Sequence, residues 1–228
     1  MSSKVKVICV LKSGGVYTPT YAYVLRKAVL DRHPEWDFVC ITDMFEEYWT
    51  EPLRYDFPGK KWWSKIEIFR HNSRITTHIY LDLDTVINGS LQPLADAATE
   101  HPGAFYMRRP TKRKQKWASG VMAWKGDYDF LLREFVEYSE YYVNHFKWDQ
   151  RYISNKLEGN NATIRAIQDV LPGMVSYKHD CRGVHDNAIP DEFNLICFHG
   201  KPRPHDVGAP YFNTEEVIDE LRYCTRSA

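Results

Sequence analysis

Short apolar segments alternate with amphipathic segments along the first 90 residues of the chain. Three of the apolar segments are rich in β-branched and aromatic residues, as buried strands are: residues 5–11 (VKVICVL), 38–42 (FVCIT) and 78–81 (HIYL). Helices are predicted between them over residues 18–33, where His33-Pro34 provides the stop, and over residues 62–70. Strands that alternate with helices predict an α/β protein whose sheet is covered by helices on both faces.

The second half of the chain has a less regular pattern. Strands are predicted there at residues 105–107, 120–124 and 195–198. Helices are predicted at residues 127–143, 149–157 and 214–223. Because neither an internal repeat nor a good linker divides the sequence, residues 1–228 are expected to form a single domain.

Composition and charge restrict the class of protein. The 30 basic and 30 acidic residues balance, so no whole-molecule field draws the chain to nucleic acid or to an anionic membrane. No segment approaches the roughly 20 apolar residues of a membrane span, and residues 5–11 are too short for a signal-peptide core. The five cysteines are scattered and form no C-x-x-C motif. A reduced, cytoplasmic setting is therefore expected.

Polar residues follow several of the predicted strands, at the edge where α/β sheets bind ligands. Asp82 and Asp84 come directly after the strand at residues 78–81, and alternation places both side chains on the same side. Two such carboxylates repel each other unless a cation lies beside them, and a divalent ion accepts oxygen ligands readily. The alternative is a solvated turn between strand and loop.

Two further segments carry candidate chemistry. His199 leaves the strand at residues 195–198 and could act as a metal ligand, while Gly200 permits close backbone approach and Lys201 could hold a phosphate. The alternative is a loop stiffened by proline. Lys65 lies on the predicted helix at residues 62–70, whose Trp63, Ile66 and Phe69 are expected to be core residues.

Together these segments resemble glycosyltransferases of the GT-A fold. The resemblance is closest to the group of glycogenin and bacterial lipopolysaccharide galactosyltransferases (family 8) and its small bacterial and viral relatives. Four motifs occur in the order that this family has: residues 80–85 (YLDLDT), 118–121 (ASGV), 148–150 (WDQ) and 199–202 (HGKP). The resemblance extends over about residues 4–205. It implies one GT-A domain, with a mixed central sheet, a nucleotide-binding half at residues 1–90 and an acceptor-side half at residues 91–228.

The resemblance also implies roles for individual residues. Asp82, Asp84 and His199 would hold Mn²⁺ or Mg²⁺ against the diphosphate of a nucleotide-sugar donor, most simply a UDP-sugar. An imidazole ligand favours Mn²⁺. Lys65 and Lys201 would neutralise the phosphates. The other implied donor contacts are Leu11, Lys12, Ser13, Tyr17, Asp43, Leu83, Ser119, Gly120 and Gly200. The implied catalytic residues are Asp149, Gln150 and Lys201, in a reaction that retains the anomeric configuration.

One run of basic residues lies outside these motifs. Six of the nine residues 108–116 are Lys or Arg, beginning with Arg108 and Arg109 and ending with Lys116. The functional interpretation is contact with an anionic acceptor, or with membrane phospholipid around a lipid-linked glycan. The alternative is a solvated loop. A nucleic-acid site is not expected, because the whole chain is neutral and no recognition motif accompanies the run.

Two other functions compete with the transferase interpretation. The sequence Asp82-x-Asp84-x-Val86 after an apolar strand also fits the nucleophile motif of haloacid-dehalogenase-like phosphatases, although a full β-α-β unit precedes it here. The other alternative is a module that binds nucleotide sugars or glycans without turnover. A binding module would not need Asp82, Asp84, His199 and Lys201 together, which favours an enzyme.

Overall fold

The structure is a computed structural model that describes residues 4–110, 117–183, 189–198, 200–214 and 217. Its strands are β1 (Lys4–Leu11), β2 (Asp37–Thr42), β3 (Thr50–Pro52), β4 (Ser73–Leu81), β5 (Thr85–Ile87), β6 (Ala104–Arg108), β7 (Ala118–Gly126), β8 (Thr163–Ala166), β9 (Met174–Ser176) and β10 (Leu195–Cys197). Its α-helices are α1 (Pro19–Leu30), α2 (Gln92–Glu100), α3 (Phe130–Glu137), α4 (Ser139–His145) and α5 (Asp149–Gly159). The other helical segments are the 3-10 helices Lys61–Arg70, Ile167–Asp169 and Pro204–Val207 and the π-helical turn Tyr177–Cys181.

Within the described residues, seven strands form a mixed central sheet in the order β3-β2-β1-β4-β7-β6-β8. Strand β1 is parallel to β2 and β4, whereas β7 is antiparallel to both of its neighbours. Successive side chains of β1 enter cores on opposite faces, with Val7 and Cys9 on the side of α1 and α2 and Ile8 on the side of α3 and α5. The predicted α/β class, with a mixed sheet and helices on both faces, is confirmed.

The predicted helix at residues 62–70 is a 3-10 helix over Lys61–Arg70. A 3-10 helix has three residues per turn, so residues three apart share a face. Trp63, Ile66 and Phe69 accordingly lie in one core, as the sequence predicts. The helix is held in place by Glu67, which is fully buried and accepts hydrogen bonds from two backbone N–H groups, those of Arg54 (2.9 Å) and Tyr55 (3.0 Å).

Two sequence predictions differ from the structure. Residues 127–143 form two helices, α3 and α4, because the chain bends at Tyr138; Phe135 and Tyr142 then pack on the same ring, that of Tyr152. Strand β10 forms as predicted but not in the central sheet. It pairs with β5 and β9 in a separate sheet, which has three strands among the described residues. The segment after β10 therefore reaches the ligand-binding edge from a different layer.

Other elements were not predicted from the sequence: β3, β5, β8, β9 and α2. Most of these are strands of three or four residues, too short for a hydrophobic period to be recognised. Of the predicted helix at residues 214–223, only Thr214 and Val217 lie within the described residues. In the described part of the chain, no helix is long and apolar enough to cross a membrane. The described cysteines, Cys9, Cys40, Cys181 and Cys197, are free and buried.

Candidate functional site

A cleft of about 540 Å³ opens at the carboxyl ends of β1 and β4. The start of β7, the beginning of α5 and the 3-10 helix at Lys61–Arg70 complete its walls. Most of the residues that the sequence singles out line this cleft: Leu11, Lys12, Tyr17, Lys65, Asp82, Leu83, Asp84, Ser119, Gly120, Asp149 and Gln150. Residues from five separate segments of the sequence thus meet in one place.

Lys65 lies at the centre of the cleft wall and is 7% exposed. Its Nζ is 2.7 Å from Asp149 Oδ2 and 3.0 Å from Asp82 Oδ1. Ser119 Oγ lies 3.2 Å from Lys65 Nζ and donates to Asp149 Oδ2 at 2.8 Å. Burial by itself lowers the pKa of Lys65, but the charges of Asp149 and Asp82 outweigh it and raise the pKa above its ordinary value. Lys65 is therefore a fixed positive charge that joins the strand β4 end to helix α5.

The two carboxylates that follow β4 each accept a short hydrogen bond from a tyrosine. Tyr80 Oη donates to Asp82 Oδ1 at 2.6 Å, and Tyr17 Oη donates to Asp84 Oδ2 at 2.6 Å. Burial and the neighbouring charge of Asp82 raise the pKa of Asp84 to about 7. Burial also raises the pKa of Asp82, although Lys65 and the Tyr80 hydroxyl oppose the rise. The pair therefore has an excess of negative charge that a cation would relieve.

The remaining carboxylate oxygens, Asp82 Oδ2 and Asp84 Oδ1, accept no hydrogen bond from the described residues. Gly120 keeps the first of them uncovered, because a Cβ at that position would lie 3.1 Å from Asp82 Oδ2. Two free carboxylate oxygens, one on a group with a raised pKa, fit a hard divalent cation such as Mn²⁺ or Mg²⁺. No cluster of three or more His, Cys, Asp or Glu side chains with metal-binding geometry occurs among the described residues, and His199, the third ligand expected from the sequence, lies outside them.

The β1–α1 turn is held by Asp43 at the end of β2. The Ser13 N–H and Ser13 Oγ donate to the two Asp43 oxygens, each at 2.7 Å, and Lys12 Nζ lies 3.0 Å from Asp43 Oδ2. Burial acts to raise the pKa of Asp43, but the Ser13 hydrogen bonds and Lys12 outweigh it and hold that pKa below its ordinary value. Ser13 and Asp43 are not among the residues that line the cleft. In this structure Asp43 orients the turn that lines it.

The segment after β10 approaches the cleft differently from the sequence expectation. Phe198 lines the cleft, whereas Gly200 and Lys201 are exposed and are not among its lining residues. This segment contributes Arg203, whose guanidinium lies 5.1 Å from the Tyr17 ring centre and opposes the rise in the pKa of Asp84. Its Nη1 is buried and has no hydrogen-bond partner among the described residues.

Three basic residues at or beside the cleft could not be assigned a role from the sequence motifs: Arg203, Lys60 and Lys61. Arg203 has no local pattern that would reveal it, because its partner Tyr17 is distant in the sequence. Lys60 and Lys61 line the cleft directly. These two lysines could have been predicted as cleft residues, since they lie at the start of the predicted helix that bears Lys65.

The prediction that the basic run at residues 108–116 contacts an anionic acceptor or a membrane is wrong for its first residue, Arg108. Arg108 is 3% exposed and cannot belong to a surface contact, because it is the last residue of β6 and its side chain faces the interior. Arg109 is exposed and lies 3.6 Å from Asp169 Oδ2. Residues 111–116, with the remaining basic side chains, lie outside the described residues.

No protein-family model and no curated protein sequence matches the chain. Solved structures do share its fold. The galactosyltransferase LgtC, in complex with donor and acceptor sugar analogues, superposes with a TM-score of 0.62 at 13% identity, over 97% of this chain and 95% of LgtC. The glycosyltransferase GlyE of Streptococcus pneumoniae TIGR4 gives a TM-score of 0.65 at 10% identity, over 98% of this chain and 64% of GlyE. The bifunctional glycosyltransferase WbbM gives 0.57 at 8% identity, over 98% of this chain and 52% of WbbM.

These likenesses show the fold. The protein has the GT-A-like architecture that LgtC, GlyE and WbbM share, and the fold predicted from the motifs is confirmed. The chain spans nearly the whole of LgtC but only about two thirds of GlyE and half of WbbM. Because a fold hosts many functions, the activity has to be argued from the cleft itself.

Proposed function

We propose that this protein is a metal-dependent glycosyltransferase that moves a sugar from a nucleotide-sugar donor, most simply a UDP-sugar, to a hydroxyl acceptor. The observation that carries the proposal is the cleft at the carboxyl ends of β1 and β4. It places the Asp82/Asp84 pair, with two oxygens that accept no hydrogen bond from the described residues, beside a buried Lys65–Asp149 ion pair. The shared fold supports the same conclusion.

The expulsion of a nucleoside diphosphate requires stabilisation of the negative charge that grows on it. A divalent cation held by Asp82 and Asp84, with His199 as the proposed third ligand, would supply that stabilisation when bound. Lys60 and Lys61 in the cleft, Arg203 beside Tyr17 and the exposed Lys201 supply further positive charge from this chain. We assign the phosphates of the donor to this region, with Gly200 allowing close backbone approach.

The nucleoside is assigned to the β1–α1 turn. Leu11, Lys12 and Tyr17 line the cleft there, and Asp43 holds the turn through Ser13 and Lys12. The nucleotide-binding half is then residues 1–90 and the acceptor-side half residues 91–228. Leu83 of the first half and Ser119 and Gly120 of the second line the cleft together, and we assign the transferred sugar to them.

The transfer breaks the anomeric C–O bond through a state with positive charge on the sugar ring. Asp149 is oriented for this state, because Lys65 and Ser119 both engage its Oδ2 and fix the carboxylate in the cleft wall. Gln150 follows it on the first turn of α5 and lines the cleft. We assign to Asp149 electrostatic support of that charge and to Gln150 the position on the ring face opposite the leaving group, in a reaction with retention of configuration. The GT-A-like fold argues against the phosphatase alternative.

A nucleotide titration tests the proposal. The melting temperature is measured with UDP, GDP, ADP and their sugar conjugates, with and without Mn²⁺, together with the release of free nucleotide from each conjugate. At a ligand concentration 100-fold above Kd, binding stabilises by about 2.7 kcal/mol, which raises Tm by roughly 5–10 °C in a chain of this size. One nucleotide family should do so only with Mn²⁺.

Two variants complete the experiment. Asp84→Ala should remove the metal-dependent stabilisation, whereas Asp127→Ala, at an exposed carboxylate before α3, should keep it. The proposal fails if no nucleotide stabilises the protein in a metal-dependent way. Metal-dependent binding without release of nucleotide, with or without added acceptors, would instead support the binding-module alternative.

A further inference from the structure

A pair of exposed tryptophans forms part of the cleft on the side of Asp149. Trp62 is 38% exposed and Trp148 is 37% exposed, and both line the cleft. Their ring centroids are 5.4 Å apart with an interplanar angle of 34°. Trp148 directly precedes Asp149 and Gln150, so the pair is adjacent to the groups assigned to the sugar. Large aromatic surfaces left in contact with water beside a cleft are typical of ligand-binding positions.

Trp148 lies on the side of the cleft away from the region assigned to the nucleoside, whereas Trp62 is on the 3-10 helix at Lys61–Arg70, which also contacts β1. In the central sheet, β1 and β2 lie on one side of β4 and β7 lies on the other. Helix α5, which begins immediately after Trp148, packs against β7 and β8. Trp148 therefore stands where a second substrate would enter, next to the transferred sugar, and Trp62 extends the aromatic surface toward the donor side.

Two basic residues, Lys147 and Arg151, flank Trp148 in the sequence. Lys147 Nζ lies 5.4 Å from the centre of the Trp148 ring. Lys147 and Arg151 are both exposed, and neither forms an ion pair with any carboxylate of the described residues. The neighbouring acidic side chain, Asp149, is buried and already paired with Lys65. An unbalanced positive rim favours a ligand of opposite charge.

We propose that Trp62 and Trp148 form the acceptor platform of this protein and that the acceptor is an anionic saccharide. The apolar C–H face of a sugar ring packs against the indole surfaces. A carboxylate or phosphate on the acceptor meets Lys147 and Arg151 at the rim. This inference rests on the proposed function, because it names the acceptor class for the same cleft.

The test measures saccharide binding directly, apart from turnover. Calorimetric titrations at low salt use three methyl glycosides in each of the gluco, galacto and manno configurations: the neutral sugar, its 6-carboxylate (the uronide) and its 6-phosphate. At least one charged member should bind tenfold or more tightly than its neutral counterpart, with weaker binding at high salt. A comparison of the uronides with the 6-phosphates then shows whether the protein prefers a carboxylate or a phosphate on the saccharide.

Variants assign the binding to the platform. Trp148→Ala should weaken the charged saccharide tenfold or more, whereas Trp148→Phe should weaken it less than threefold because a ring is retained. Lys147→Gln should reduce the preference for the charged over the neutral sugar. Tyr48→Ala, at an aromatic residue that is 87% exposed and lies before β3, should change nothing. The inference is overturned if no saccharide of the panel binds, if neutral and charged sugars bind equally, or if Trp148→Ala binds as the wild type does.

The same preparations are titrated with UDP and Mn²⁺. If nucleotide binding is absent but the charged saccharide binds through Trp148, the transferase proposal fails and the platform stands as a glycan-binding site. If nucleotide binding is present and saccharide binding is insensitive to Trp148, the platform fails and the transferase proposal stands. In Trp148→Ala, the loss of saccharide affinity should exceed any loss of nucleotide affinity.

Discussion

Replacing Lys65 by methionine removes the positive charge that holds the cleft wall together and keeps most of the side-chain volume. In the native protein its Nζ contacts Asp149 at 2.7 Å and Asp82 at 3.0 Å. Without it, two carboxylates would face each other across a site that burial has taken largely out of water. Lys65→Met should therefore unfold more readily than the wild type at neutral pH.

The magnitude follows from the burial of the partners. Removal of one member of a buried ion pair costs about 3–5 kcal/mol, because the other member is left unpaired. Asp149 has a side chain that is 10% exposed, so the full range applies to it. Asp82 is 34% exposed, and solvent screens much of its contribution. The loss should thus be about 3 kcal/mol, or roughly 6–12 °C in Tm for a chain of this length.

Chemical denaturation of four proteins measures the effect: the wild type, Lys65→Met, Asp149→Asn and the double variant. The double variant should be more stable than the sum of the single losses predicts, because removing Asp149's charge relieves the repulsion that Lys65→Met exposes. Burial raises the pKa of Asp82, so acid neutralises this carboxylate and the part of the loss that it causes should shrink toward pH 4. A loss below 1 kcal/mol at pH 7, or an equal loss at pH 4 and pH 7, would refute this account.

Two further predictions concern carboxylates. The pKa of Asp84 is raised from 3.8 to about 7 by burial and by Asp82, so the fold favours the protonated side chain. The stability that this protonated form contributes is present at low pH and is lost as the pH rises through 7. A divalent cation binds the ionised form of Asp84, so the affinity for Mn²⁺ should fall roughly tenfold per pH unit below pH 7. Calorimetry that finds the same Kd at pH 5.5 and pH 6.5 would contradict this. Glu67→Ala should destabilise the protein by roughly 2–6 kcal/mol, about 1–3 for each of the two backbone N–H groups that lose their acceptor, since Arg70 keeps its contact with Glu51. Glu137→Ala, on the exposed face of α3, is its control in the same denaturation experiment, and equal losses in the two variants would contradict the anchoring role.

Local hydrophobic patterns were enough to predict the centre of this fold. The strands β1, β2, β4 and β7 are long or strongly apolar, and each was found near its predicted position. Such segments are recognisable because burial on both faces demands a continuous apolar run. The short strands β5 and β9 carry no such signal, since three residues form less than a full pattern. They are strands only because β10 lies between them.

In the candidate site, too, some residues could be predicted from the sequence and others depend on tertiary contacts. Asp82 and Asp84 could be predicted from sequence alone, because they follow a buried strand and the strand fixes which way they leave it. The pairing of Lys65 with Asp149 could not, since it joins a 3-10 helix to α5 across the cleft. Nor could the position of Arg203 over Tyr17, which depends on how the segment after β10 folds back on α1.

The sequence by itself determined the class of fold, the carboxylate pair and the identity of most cleft residues, because these follow from short patterns along the chain. Tertiary structure decided the electrostatics. The raised pKa of Asp84, the pairing of Lys65 with Asp149 and the contact of Trp62 with Trp148 all depend on burial and on distances between segments that are remote in sequence. Charge interactions vary with separation and with access to water, and only the folded chain sets either.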